Sequence, residues 1–276
     1  MSFNAHWELP GGYIDGHGNC HRAFEIRALI GRDEELLAAE NASANMASRV
    51  SELLSRCVSR IGGIVSIDKQ LIQQLLVADR DYLLLMLRQL TFGDRVEAVI
   101  KCDNPGCSNS LDIDFLISDI PITAIERKPA YTLALDRDEL GILRQRMHDS
   151  PGDGHGSKTV ELLERLLAYP EISYRLPIGG DMELLLDLKT DNPAVASSHL
   201  LQRCVLDFGQ GGRLDLEAVT ALPSALRRAL ENEMEARAPN LELVMEVNCP
   251  VCNQGFDAPF YLQDFFFNEH RLTVSG

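Results

Sequence analysis

Positive charge is what this sequence is short of. Its 26 Lys and Arg stand against 41 Asp and Glu in 276 residues, a formal net charge of −15. A nucleic-acid interface needs Lys and Arg to neutralise phosphates, and an anionic membrane surface attracts the same residues. Both partners are therefore disfavoured, and basic protein surfaces fit better. Long apolar runs are missing too: none reaches the roughly 18 residues of a membrane-spanning helix. The opening Met1-Ser2-Phe3-Asn4-Ala5-His6 has no basic start followed by an apolar stretch, so no secretory signal is expected. These absences predict a protein that stays in the cytoplasm of the producing cell. No Gly-x-Ser-x-Gly elbow, phosphate-binding loop or dinucleotide fingerprint occurs, and no solenoid-length repeat. Neither an enzymatic role nor a small-molecule substrate is expected.

Cysteine is present, in an informative pattern. The chain has 7 cysteines, and an odd number without a signal peptide argues against a disulfide framework. Cys57 and Cys204 sit in amphipathic helical stretches and read as small buried hydrophobes. Cys20 follows a Gly-rich turn and reads as a free surface thiol. The other four form two knuckles: Cys102-Asp103-Asn104-Pro105-Gly106-Cys107, and Cys249-Pro250-Val251-Cys252. Each knuckle lies between two alternating segments. Arg95–Lys101 leads into the first and Leu111–Phe115 leaves it; Leu241–Val247 leads into the second and Gly255–Phe260 leaves it. Zinc takes four tetrahedral ligands and suits thiolates, and a tight turn with a cysteine on each side aims two sulfurs at one point. Two knuckles complete a closed set of four thiolates, which leaves no position for water or substrate and gives the metal a structural role. Structural Zn2+ is the expected cofactor, with Cys102, Cys107, Cys249 and Cys252 as ligands. Such binding is worth about 10–16 kcal/mol in finger peptides, comparable to the net stability of a whole domain. The rival readings are four free thiols at hairpin turns, a degenerate site that has lost its metal, and a redox pair at Cys249 and Cys252.

The fold class expected is α+β: a mainly helical body with an N-terminal β-hairpin and two zinc-knuckle hairpins forming a split zinc ribbon. An N-terminal β-hairpin occupies 1–32, turning at Asp15-Gly16-His17-Gly18. A helical region follows over 33–94, with helices expected at 33–47 and 48–60, the latter stopped by Gly62-Gly63. A further helix is capped by Asp68, and an apolar helix opens at Asp79-Arg80-Asp81. The first knuckle hairpin covers 95–120 and a mostly helical insertion 121–240. The second knuckle hairpin and an aromatic C-terminal segment cover 241–276.

Other constellations have simpler explanations. His17 and His21 flank Cys20, which suggests a second metal site, but a solvated hairpin accounts for them. Gly11-Gly12 and Gly179-Gly180 read as turns, Asp112 and Asp114 as a solvated strand face, and Asp79 and Asp81 as helix caps. The chain has one Trp, 6 Tyr and 10 Phe, and six of these aromatics fall between Phe256 and Phe267. That density reads either as core packing against the knuckles or as a partner-docking patch built from Phe260, Tyr261, Phe265, Phe266 and Phe267.

Several strings taken together resemble a known family. They are Leu9-Pro10-Gly11-Gly12-Tyr13-Ile14-Asp15 with His21-Arg22; Asp79-Arg80-Asp81-Tyr82-Leu83-Leu84-Leu85 with Leu87-Arg88 and Phe92-Gly93-Asp94; the Cys102/Cys107 knuckle; Leu176-Pro177; and Cys249-Pro250-Val251-Cys252 with Phe265 behind it. The sequence resembles the T4-type baseplate hub and tail-assembly proteins of contractile-tailed phages and contractile injection systems. The resemblance implies a non-enzymatic structural or assembly protein whose partners are other baseplate or tail proteins. It implies residence in the producing cell's cytoplasm or in the assembled particle. Two alternatives stand beside it: a zinc-ribbon adaptor for protein or nucleic-acid partners, and an enzyme with a dispersed active site.

Overall fold

The computed structural model describes residues 7–38, 45–107, 109–148, 156–260 and 272–274. It is a mixed helix and sheet protein, α+β in class, and its chain divides into two compact units. One comprises 1–15, 19–125 and 239–276; the other comprises 16–18 and 126–238.

The first unit opens with strands β1 (Trp7–Ile14) and β2 (Cys20–Ile26), followed by helices α1 (Gly31–Ala38) and α2 (Met46–Cys57). Strand β3 (Val58–Ile61) follows α2 without a break and pairs antiparallel with β2, so the hairpin is a three-stranded sheet of order β1-β2-β3. This corrects the expectation of a helix running to residue 60. Apolar spacing alone does not separate the end of an amphipathic helix from a short strand. Helix α3 (Lys69–Gln74) is capped by Asp68, whose carboxylate accepts the Leu71 amide at 2.8 Å.

Helix α4 (Val77–Phe92) has Leu83, Leu84, Leu85, Met86 and Leu87 all buried. Each such side chain contributes about 1.5–3 kcal/mol when fully removed from water. The helix stops where Gly93 adopts φ 91°, a conformation glycine takes without steric cost. Phe24 stacks on Trp7 and meets Tyr82 edge-on, tying sheet to helix. Strands β4 (Arg95–Lys101), β5 (Ser110–Leu116) and β6 (Ile122–Thr123) complete this half.

Asp79 corrects the sequence reading. It does not cap α4; its fully buried carboxylate accepts the backbone amides of Gly11 at 2.7 Å and Gly12 at 3.2 Å. Gly11-Gly12 is likewise no turn. It is an irregularity within β1, where the register with β2 shifts. A Cβ on Gly11 would sit 2.6 Å from Leu76 Cδ1 and 3.0 Å from Asp79 Oδ2, so only glycine lets the strand reach the carboxylate.

An ion pair between an exposed arginine and a buried aspartate links the end of β2 to α1. Arg27 holds Asp33 through two hydrogen bonds, at 2.6 and 3.2 Å, and Asp33 is 2% exposed. That hydrogen bonding, with the Ile30 amide, holds the Asp33 carboxyl below its ordinary range despite burial.

The second unit contains strand β7 (Tyr131–Ala134), helices α5 (Arg137–His148) and α6 (Gly156–Ala168), strand β8 (Glu171–Tyr174), and helices α7 (Gly179–Asp187) and α8 (Pro193–Cys204). Strand β9 (Val205–Phe208) and helices α9 (Leu216–Ala221) and α10 (Ser224–Arg237) follow. Its sheet runs β7-β8-β9, antiparallel throughout. Helix α8 ends at Cys204, and the chain passes from it directly into β9. Tyr174 and Phe208 are fully buried in this unit. Asp181, also fully buried, accepts two hydrogen bonds from Arg175 and one from Arg203. Gly179-Gly180 opens helix α7 rather than forming a turn.

The chain re-enters the first unit as β10 (Asn240–Leu241), which pairs with β6. Strands β11 (Val244–Asn248) and β12 (Gly255–Pro259) form a two-stranded sheet, and β13 (Leu272–Val274) runs parallel to β4. Among the described residues no helix is long and apolar enough to cross a membrane.

Candidate metal centre

Each knuckle is a turn joining two paired strands. In the first, β4 and β5 pair in unbroken register from Arg95↔Leu116 to Lys101↔Ser110, and the Cys102 amide extends the ladder by donating to the Asn109 carbonyl at 2.8 Å. The Asn104 carbonyl accepts the Cys107 amide at 2.9 Å, while its side chain accepts the Gly106 amide. In the second, β11 and β12 pair from Val244↔Pro259 to Asn248↔Gly255, and the Cys249 amide donates to the Gln254 carbonyl at 2.9 Å. Asn253, at φ 56°, turns the chain in the left-handed region that Asn tolerates.

The four sulfurs converge, all lying within 4.8 Å of one another. Among the described residues theirs is the one such group of three or more side chains able to hold a metal ion. Cys102 Sγ is 3.6 Å from Cys252 Sγ, and Cys107 Sγ is 3.8 Å from Cys249 Sγ. A disulfide needs about 2.05 Å, so these are not bonded pairs. A tetrahedron with zinc–sulfur bonds of about 2.3 Å places its sulfurs about 3.8 Å apart, so the donor set fits that ion. Cys102 and Cys249 are buried, and Cys107 and Cys252 are half-buried. The Gln254 amide group reaches Asp103 at 3.4 Å, a polar contact between the two turns.

Electrostatics in the cluster are divided. The Cys252 backbone amide, together with that of Val251, brings the Cys249 thiol down to about 7 against the effect of burial. The Asn104 amide pulls Cys102 the same way, but burial and hydrogen bonding with the Cys252 and Cys249 thiols outweigh it and push Cys102 up to about 12. Cys107 is raised for the same reasons, against the Asn109 amide. Four sulfurs this close repel as thiolates, and a divalent cation at their centre would offset that repulsion.

The remaining candidates fall elsewhere. Cys57 and Cys204 are buried, and burial pushes their thiols up to about 11 and about 12. Nε2 of His21 lies 3.0 Å from Asp15, and the Cys20 thiol donates to the Gly11 carbonyl at 3.7 Å. Phe260 is buried, its ring centroid 4.8 Å from that of Phe115, which gives it a packing role. Tyr261, Phe265, Phe266 and Phe267 lie outside the described residues. The Asp79 contact and the two Arg–Asp pairs escaped sequence reasoning. Their partners are too far apart in sequence for a helical-pair pattern.

Fold and site together define an α+β protein in which four cysteine sulfurs converge. A family model described as T4 bacteriophage base plate protein matches residues 17–142, and over that stretch the chain is similar to the family. The matched region contains Cys102 and Cys107 and ends before the second knuckle. No curated protein and no solved structure matches the chain.

Proposed function

We propose that the chain is a structural or assembly component of a contractile, phage-tail-like baseplate, stabilised by one structural Zn2+ on Cys102, Cys107, Cys249 and Cys252. The similarity over residues 17–142 carries the baseplate reading. The convergence of the four sulfurs supports the metal. In this reading β4–β5 and β11–β12 are the halves of a split zinc ribbon. The four thiolates fill the coordination sphere and leave it no open position, so the ion acts as a staple. Its partners are other baseplate proteins. The aromatic side chains Tyr261, Phe265, Phe266 and Phe267 supply apolar contact surface to them.

Two measurements test this. Metal analysis of the purified protein is expected to give one zinc per chain, falling towards zero in Cys102→Ser and Cys249→Ser; a metal-free wild type of undiminished stability sinks the zinc reading. Co-expression with baseplate proteins of a contractile-tailed phage is expected to give a complex that survives gel filtration. Recovery of the chain alone in every pairing counts decisively against the baseplate reading.

A further inference from the structure

The two units carry the same clasp. In the first, Arg27 follows β2 and grips Asp33 at 2.6 and 3.2 Å. The Ile30 amide donates to the same carboxylate at 3.0 Å, and the Arg27 amide donates to the Cys57 carbonyl at 3.0 Å. In the second, Arg175 follows β8 and grips Asp181 at 2.6 and 2.9 Å. There the Ile178 amide donates to the carboxylate at 3.0 Å, and the Arg175 amide donates to the Cys204 carbonyl at 2.9 Å. One pattern underlies both: Arg-x-x-Ile-Gly-x-Asp-x-Glu-Leu-Leu, over 27–37 and again over 175–185.

The correspondence continues along the chain. Asn45 and Asn192 cap α2 and α8. Both helices end in Leu-x-Arg-Cys and pass directly into a strand that begins with Val, β3 or β9. Both strands are followed by a glycine in the left-handed region, Gly62 at φ 56° and Gly209 at φ 54°. Asp68 and Asp215 cap the next helices. Arg80 on α4 donates to the Ala47 carbonyl at 2.8 Å, and Arg227 on α10 donates to the Ala194 carbonyl at 3.2 Å. Each unit's sheet puts the strand before the clasp in the middle. Cys102 lies as many residues beyond Cys57 as Cys249 lies beyond Cys204.

Unrelated segments have no reason to share an ion pair, three caps or helix ends, a left-handed glycine and a cysteine in one register. We infer that the chain is a tandem duplication of a single module, and that the four-cysteine centre is the joint to which each copy contributes one knuckle. The sulfur pairs behave accordingly. The first cysteine of each knuckle lies nearest the second cysteine of the other, and exchanging the copies turns Cys102···Cys252 into Cys249···Cys107. Phe115 and Phe260 hold equivalent places on the outgoing chains and meet ring to ring, as equivalent residues do at a two-fold axis. Each knuckle is thus shaped for a second copy of itself, and the ion joins like to like. The metal part of this inference rests on the zinc reading above; the duplication does not.

The test uses the full chain. Segments 27–37 and 175–185 are exchanged in register, and in a second variant the same exchange is shifted by one residue. The in-register chimera is expected to keep a cooperative thermal transition and the shifted one to lose it; equal loss in both overturns the duplication. Hydrogen exchange of Asp33→Asn and Asp181→Asn provides an independent reading. The first is expected to raise exchange about tenfold or more at Arg27 and Ile30, and the second at Arg175 and Ile178. Footprints at non-equivalent amides overturn the inference. Metal content separates the two ideas: matched footprints in a metal-free chain uphold duplication and reject zinc, while unmatched footprints in a one-zinc chain do the reverse.

Discussion

Replacing Asp181 by Asn removes a charge that the second unit is built around. Its carboxylate accepts three guanidinium hydrogen bonds, two from Arg175 and one from Arg203, and a fourth from the Ile178 amide, with no exposure to solvent. An Asn carboxamide keeps one acceptor oxygen and turns an NH2 group towards cations that only donate. Breaking a wholly buried pair costs about 3–5 kcal/mol, but Arg175 and Arg203 are 22% and 37% exposed and water can take up part of their charge, so the cost here is about 2–3 kcal/mol. With a urea slope of about 2–3 kcal/mol/M, the unfolding midpoint of this unit falls by about 1 M. Far-UV circular dichroism with hydrogen exchange at Arg175 and Ile178 reads it out locally. The pH dependence gives a second handle. Arg175, Ile178 and Arg203 hold the Asp181 carboxyl below its usual value of 3.8, outweighing the larger opposing effect of burial. A lowered carboxyl pKa stabilises above the unfolded-state value, and that contribution disappears as pH falls through the folded-state value. The gap between wild type and variant is therefore constant from neutral pH to about 4 and narrows below that. A loss under about 1 kcal/mol at neutral pH, or a gap that widens on acidification, would refute the reasoning.

Three further outcomes are expected. Gly11→Ala pushes a methyl group against Leu76 and Asp79 and separates β1 from the carboxylate, lowering stability by about 1–3 kcal/mol in urea titrations; unchanged stability would show that the contact is dispensable. Phe260→Ala empties a buried site against Phe115 and costs about 3–5 kcal/mol by the same assay, whereas a cost below about 1 kcal/mol would mark Phe260 as a surface residue. Zinc affinity falls as pH is lowered, since each released thiolate takes up a proton; pH-independent competition with a chromogenic chelator would argue for ligands other than the four thiols.

The sequence exposed what depends on local chemistry. Pro105-Gly106 and Pro250 mark tight turns, and the cysteines beside them are the ones whose sulfurs converge. Asp68 was legible as a cap because capping involves residues three apart. Strands β3 and β9 were hidden, since Val58–Ile61 and Val205–Phe208 continue the apolar pattern of the helices before them. The Arg–Asp clasps were hidden for a different reason. Separated by six residues, across the end of a strand and the start of a helix, they belong to no standard helical or strand pairing. Asp79 read as a cap because its real partners, Gly11 and Gly12, lie at the other end of the first half. Even the repeated string was obscured by divergence between the copies at most positions around it.

The placement of the knuckles has a consequence during synthesis. Cys107 and its near neighbour Cys249 are 142 residues apart. At about 5–20 residues per second, a ribosome takes on the order of ten seconds to travel from one to the other. Throughout that interval the nascent chain carries Cys102 and Cys107 without the two cysteines whose sulfurs they meet, while the second unit is made. The sheet built on β4 and β5 gains its third strand, β13, only after that unit has been made. On the zinc reading proposed above, a cell making this protein would have to guard half a metal site against oxidation and premature capture of the wrong ion until Cys249 and Cys252 have been translated.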